Sequence, residues 1–65
     1  MPTTGRELRL ERASADVTIV AVAAQMGLSR QALWAMERSA VVKPERAAAY
    51  REALRVVIET SASAA

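Results

Sequence analysis

Arg30 and Gln31 are the side chains of this sequence best suited to specific recognition. A guanidinium gives two parallel hydrogen bonds, for instance to guanine O6 and N7, and a carboxamide pairs in the same two-point way with adenine N6 and N7. Trp34 follows Arg30 by one helical turn and Ala35 follows Gln31 by one. On a helix the four therefore share a side. Ala35 offers a contact to a thymine methyl, and Trp34 can do the same or lie against a sugar-phosphate wall. The alternative for Arg30 and Gln31 is an ordinary solvated surface. For Trp34 it is a dimer contact or a place folded back over the core, because a large apolar ring is seldom left bare.

The stretch that must position them is residues 18–38, TIVAVAAQMGLSRQALWAMER, which reads as two short helices joined by a corner. Thr18 caps the first, its hydroxyl accepting from an unpaired N–H of the opening turn. Val22, Ala23 and Met26 fall on one side of that helix. Gly27 stands where the chain has to turn, since glycine alone reaches positive φ without steric cost. Ser29 offers a second cap, and Leu33 and Met36 give the second helix an inward side. Arg30, Gln31, Trp34 and Ala35 are left facing outward.

Thr18, Val22, Ala23, Met26-Gly27-Leu28-Ser29-Arg30, Leu33, Met36, Glu37 and Arg38, at these spacings, resemble the helix-turn-helix of the lambda-repressor/Cro-like, phage-repressor type of DNA-binding protein. The resemblance covers roughly residues 6–54. It implies an all-α, compact four-helix domain whose second motif helix enters the major groove, where every base pair shows a distinct pattern. It also implies an ion pair between Arg12 and Glu37, with Arg9 as the substitute if the first loop carries an insertion; two solvated charges are the alternative. The connector after the second motif helix lies along the DNA backbone in that family. This makes Arg38, Lys43 and Arg46 candidate phosphate contacts beside Thr18 and Ser29. A solvated basic edge is the other reading. The chain departs from the family at Ile19, where a polar residue usually grips a phosphate. Ile19 and Val20 are apolar on what should be a wet side. Either the helix N-terminus holds the phosphate through its backbone N–H groups, or these residues pack on something, and an exposed pair is a candidate for a partner contact.

Outside the motif, residues 1–3 are expected to be loose and residues 60–65, TSASAA, to be a frayed tail. The domain proper is residues 4–59, with helices at about 5–15, 19–25, 29–38 and 44–59. Thr4 and Glu7 fit a capping box. Helix 1 has two possible inner faces, one with Leu8, Arg12 and Ala15 and one with Leu10, Ala13 and Val17. The resemblance favours the first. Asp16, where the family more often has glycine, tolerates the left-handed conformation. Pro44 and Glu45 suit the start of the last helix. Its inner side runs through Ala47, Tyr50 or Arg51, Leu54, Val57 and Ile58. Val56, Val57 and Ile58 are the candidate dimer surface, or else plain core.

With 65 residues this is one domain near the lower limit for a self-sufficient core. Without cysteine or histidine there is no disulfide, thiol nucleophile, usual general base or common metal ligand. No metal, cofactor or small-molecule ligand is expected, and an enzyme is a distant reading. Hydrophobic residues make up 52% with a single Trp, a single Tyr and no Phe, which favours close-packed helices over a sheet. The net charge of +2 is too small to reveal a polyanion partner. Eight of the nine cations are arginine, though, which suits bidentate recognition of phosphate or guanine. The apolar run 17–24 is too short to span a bilayer, and Glu7, Glu11 and Asp16 before it do not fit a signal sequence. A cytoplasmic protein is therefore expected. The sum of these readings is a regulator of transcription that binds double-stranded DNA as a homodimer on an inverted repeat. The rival is a protein-interaction module on the same scaffold, an antitoxin or anti-repressor gripping its partner with Ile19, Val20 and Trp34.

Overall fold

In the computed structural model, which describes residues 2–64 (side chains through Ser61), four helices follow one another: α1, Gly5–Ser14; α2, Ile19–Met26; α3, Arg30–Glu37; and α4, Pro44–Ala64. The chain is all-α. Among the described residues no helix is long and apolar enough to cross a membrane.

Each of the first three helices starts on a hydroxyl cap. The Oγ atoms of Thr4, Thr18 and Ser29 accept from the backbone N–H groups of Glu7, Ala21 and Ala32 at 3.1, 3.2 and 3.1 Å. Such caps satisfy amides that the helix itself leaves unpaired. The ends are equally specific. Asp16 takes the left-handed conformation at φ 59° after α1, and Gly27 takes it at φ 70° after α2. The Leu28 N–H then reaches the Ala23 carbonyl at 2.9 Å and the Gly27 N–H the Ala24 carbonyl at 3.2 Å, the paired bonds of a Schellman turn. This turn aims α3 away from α2 after only Leu28 and Ser29.

α1 and α2 each pack on both α3 and α4, and the buried residues of α3, Leu33, Met36 and Glu37, fall on one side of it. The core is Leu8, Val22, Ala23, Leu33, Met36, Val42, Ala47, Tyr50, Ala53 and Leu54. Leu8 is fully buried whereas Leu10 is 55% exposed, which settles the register of α1. On α4 the inward residue is Tyr50, and Arg51 is outside. A radius of gyration of 11.1 Å is what a well-packed chain of this length should have.

Three expectations need correction. Thr3 is not loose: its carbonyl accepts from the Val42 N–H at 2.8 Å, an isolated antiparallel bridge that ties the N-terminal segment to the α3–α4 connector. The last helix, expected to end at about residue 59, continues through Ala64. The segment has no glycine or proline to stop a helix, and alanine propagates one best. Met1 and Ala65 lie outside the described residues. Finally, the exposed-pair reading of Ile19 and Val20 gives way at Ile19 to the packing one. Ile19 is half-buried and packed against the core, and Val20 alone is open, at 56%.

Candidate nucleic-acid interface

α3 divides its residues cleanly. Leu33, Met36 and Glu37 are buried, while Arg30, Gln31, Trp34 and Ala35 are exposed on the side turned away from the body. Trp34 does not fold back over the core: 54% of its surface is open. Its partner is Arg38, one turn on, whose guanidinium carbon sits 4.6 Å from the centre of the indole ring. That distance is well inside cation–π range. Arg38, the cap residue of α3, thus lies against α3's own outer surface.

Of the phosphate candidates, Ser29 caps α3 itself, Lys43 and Arg46 share a groove with Ala35 of this face, and Thr18 caps α2. Thr18 and Ser29 are exposed, and each keeps a hydroxyl proton to donate after its oxygen has capped a helix. Lys43 and Arg46 are exposed beside a shallow groove of about 320 Å³ whose apolar lining includes Leu28, Ala32, Ala35 and Val41. By contrast, Val56, Val57 and Ile58 are not one surface. Val56 looks into a cleft with Gln25 and Met26 of α2, and Ile58 into one with Glu11 of α1. Three successive residues span about 200° of a helix, so a single flat partner cannot cover all of them. Val56 and Val57 are half-buried and Ile58 is 41% exposed.

Behind the face a buried polar cluster holds α3 in place. Arg12 of α1 clamps Glu37 in a bidentate pair, Nε to Oε2 at 2.8 Å and Nη2 to Oε1 at 3.0 Å. Its Nη1 reaches back to the Val17 carbonyl at 2.9 Å. The Tyr50 hydroxyl of α4 donates to Glu37 Oε2 at 2.7 Å. One carboxylate therefore joins α1, α3 and α4. Among the described residues no buried side-chain polar atom lacks a partner. The hydrogen bond to Glu37 raises the Arg12 pKa. Periodicity leaves Tyr50 or Arg51 as the inward residue, and only the place of Tyr50 opposite Glu37 reveals the third member.

Burial raises the Tyr50 pKa well above 10, with the hydrogen bond to Glu37 and that carboxylate's charge acting in the same direction. Because the folded phenol stays neutral where the unfolded one ionises, this contribution to stability is complete below about pH 10 and is lost as pH climbs beyond it. The chain has a single tyrosine, so tyrosinate absorbance follows this group alone. Folded protein should show no tyrosinate at pH 10.5, and Tyr50→Phe should flatten the alkaline decline of the unfolding midpoint. Normal titration near pH 10 would mean that the hydroxyl is open to water.

Charge is unevenly distributed. Arg51 pairs with Glu11 at 2.7 Å, and Arg55 pairs with both Glu52 and Glu59. These pairs occupy the charges of α4 from Arg51 to Glu59. Among the described residues Arg6, Arg9, Arg30, Arg38, Lys43 and Arg46 form no ion pair, and all of them precede Arg51. No group of His, Cys, Asp or Glu able to hold a metal ion occurs among the described residues. No family model, curated protein or solved structure matches the chain.

Proposed function

We propose that this chain is a sequence-specific, double-stranded-DNA-binding regulator of the lambda-repressor/Cro type, with α2 and α3 as its helix-turn-helix. The observation that carries the reading is the outward side of α3, where Arg30 and Gln31 are exposed and, among the described residues, Arg30 forms no ion pair. α3 docks in the major groove, Arg30 and Gln31 read base edges, and Ala35 meets a thymine methyl. Lys43, Arg46, Ser29 and Thr18 hold phosphates, which fixes register without carrying sequence information. One module of this size buries only about 600–1,000 Å², so two copies bind an inverted repeat with half-sites about 34 Å apart. Such a dimer represses by covering a promoter.

Selection of bound duplexes from random DNA tests this. The selected set should contain a short dyad with G and A in each half-site. Arg30→Ala and Gln31→Ala should each weaken binding roughly 5- to 150-fold, equivalent to about 1–3 kcal/mol, and relax the preference at one position per half-site. Loss of affinity without loss of preference would remove them from base reading. Val20, Trp34 and Val41, each more than half exposed, favour a second reading, a protein-interaction module. A stable hetero-complex from a protein without duplex affinity would select that one.

A further inference from the structure

On the flank of α3 that faces α1, two open clefts adjoin. One, about 390 Å³, is bordered by Thr4, Arg6, Arg9 and Arg38; the other, about 270 Å³, by Arg9, Arg12, Ile19, Trp34 and Arg38. The carboxylate they share is Glu37, and it is already occupied by Arg12 and the Tyr50 hydroxyl. Three guanidiniums, Arg6, Arg9 and Arg38, are thus gathered at one place with no free acid among them.

α1 sorts its charges to produce this. Glu11 bonds Arg51 of α4, and the charge of Glu7 also raises the Arg51 pKa, so the acids of α1 serve the α4 side. Arg6 and Arg9, one turn apart, border the cleft beside α3 instead. Arg38 is held there by the Trp34 ring, and a stacked guanidinium keeps its N–H edge free for bidentate contacts to an oxyanion.

We infer that Arg6, Arg9 and Arg38 form a second phosphate-gripping site, with Trp34 as the residue that positions Arg38. The inference rests on the DNA reading above and assigns the site to the backbone of the same duplex. A helix about 10–12 Å across fills a major groove about 12 Å wide, so a phosphate strand passes on each side of it. Lys43 and Arg46 serve one strand, on the Ala32 and Ala35 flank. The arginine trio serves the other, Arg9 and Arg38 on the Trp34 flank and Arg6 in the adjoining cleft. Ile19 lines that second flank and has no group to hold a phosphate. Arg9 and Arg38 supply the anchor there.

The experiment is a salt titration of binding to the selected duplex by fluorescence anisotropy, for the wild type, Arg6→Ala/Arg9→Ala and Arg6→Lys/Arg9→Lys. Both positions are exposed, so the melting temperature should not move. The alanine pair should lower the magnitude of the log–log salt slope by about 1.8, so that raising salt from 50 to 200 mM weakens it about twelvefold less than the wild type. The lysine pair should keep most of the slope, and base preference should be unchanged in both. A wild-type slope and affinity in the alanine pair, or a shifted base preference, would overturn the inference and leave the regulator reading standing. No duplex binding by the wild type would overturn both.

Discussion

Arg12→Ala should cost about 3–5 kcal/mol, because it strands a carboxylate inside the protein. Glu37 has only 3% of its side chain exposed, and Arg12 supplies two of its three hydrogen bonds. The Tyr50 hydroxyl would remain, a neutral donor facing an uncompensated charge. A domain of this length has roughly 3–10 kcal/mol in all, so the loss is at least about a third of the total and should lower the unfolding midpoint strongly. The cost belongs to the stranded charge, not to the net worth of the pair. Arg12→Met, Glu37→Leu and Tyr50→Phe combined should therefore recover most of the loss, since apolar groups of similar volume replace a buried polar cluster at little cost. Urea unfolding followed by circular dichroism measures both. A loss under 1 kcal/mol in Arg12→Ala would place the pair with surface ion pairs such as Arg55 and Glu59.

What could be read from the residues alone was local. Thr4, Thr18 and Ser29 each bond a backbone N–H three residues away, and Gly27 and Asp16 turn the chain where only a few residue types can. The split of α3 into a buried and an open side follows from period 3.6 acting on an eight-residue helix. What stayed hidden was tertiary. Tyr50 and Arg51 are adjacent on a helix with a broad apolar stripe, and periodicity cannot say which of two neighbours points in. The bond from Tyr50 to Glu37 bridges 13 positions in sequence, and Thr3 to Val42 bridges many more. Neither leaves a trace in spacing. The basic cleft was invisible for the same reason: Arg6 and Arg9 look like ordinary members of an alternating-charge helix until the end of α3 is placed beside them. At the far end of α4 no glycine or proline marks a stop, so the residues leave the last turn of the helix unbounded.

Gly5 is the other position whose importance only the fold exposes, and Gly5→Ala should cost about 3 kcal/mol. Helix propensity alone argues for the opposite sign, since alanine in a helix is better than glycine by up to about 1 kcal/mol. Here a Cβ would stand 2.3 Å from the Met36 carbonyl oxygen and 2.6 Å from the carbonyl carbon and oxygen of Glu37. All three atoms are backbone, so no side-chain rotation relieves the clash. The start of α1 would have to back away from the end of α3, straining the bond from the Gly5 N–H to the Ser39 carbonyl at 3.0 Å and the bridge between Thr3 and Val42. Overpacking of this kind costs about 1–3 kcal/mol, and rigid obstacles put it at the upper end. Gly27 supplies the contrast within the same molecule. A Cβ there meets nothing within 4 Å, so Gly27→Ala should cost only the left-handed strain of about 1–2 kcal/mol. Denaturant midpoints should therefore rank wild type above Gly27→Ala and Gly27→Ala above Gly5→Ala. A Gly5→Ala protein as stable as the wild type would show that α1 and α3 do not meet backbone to backbone.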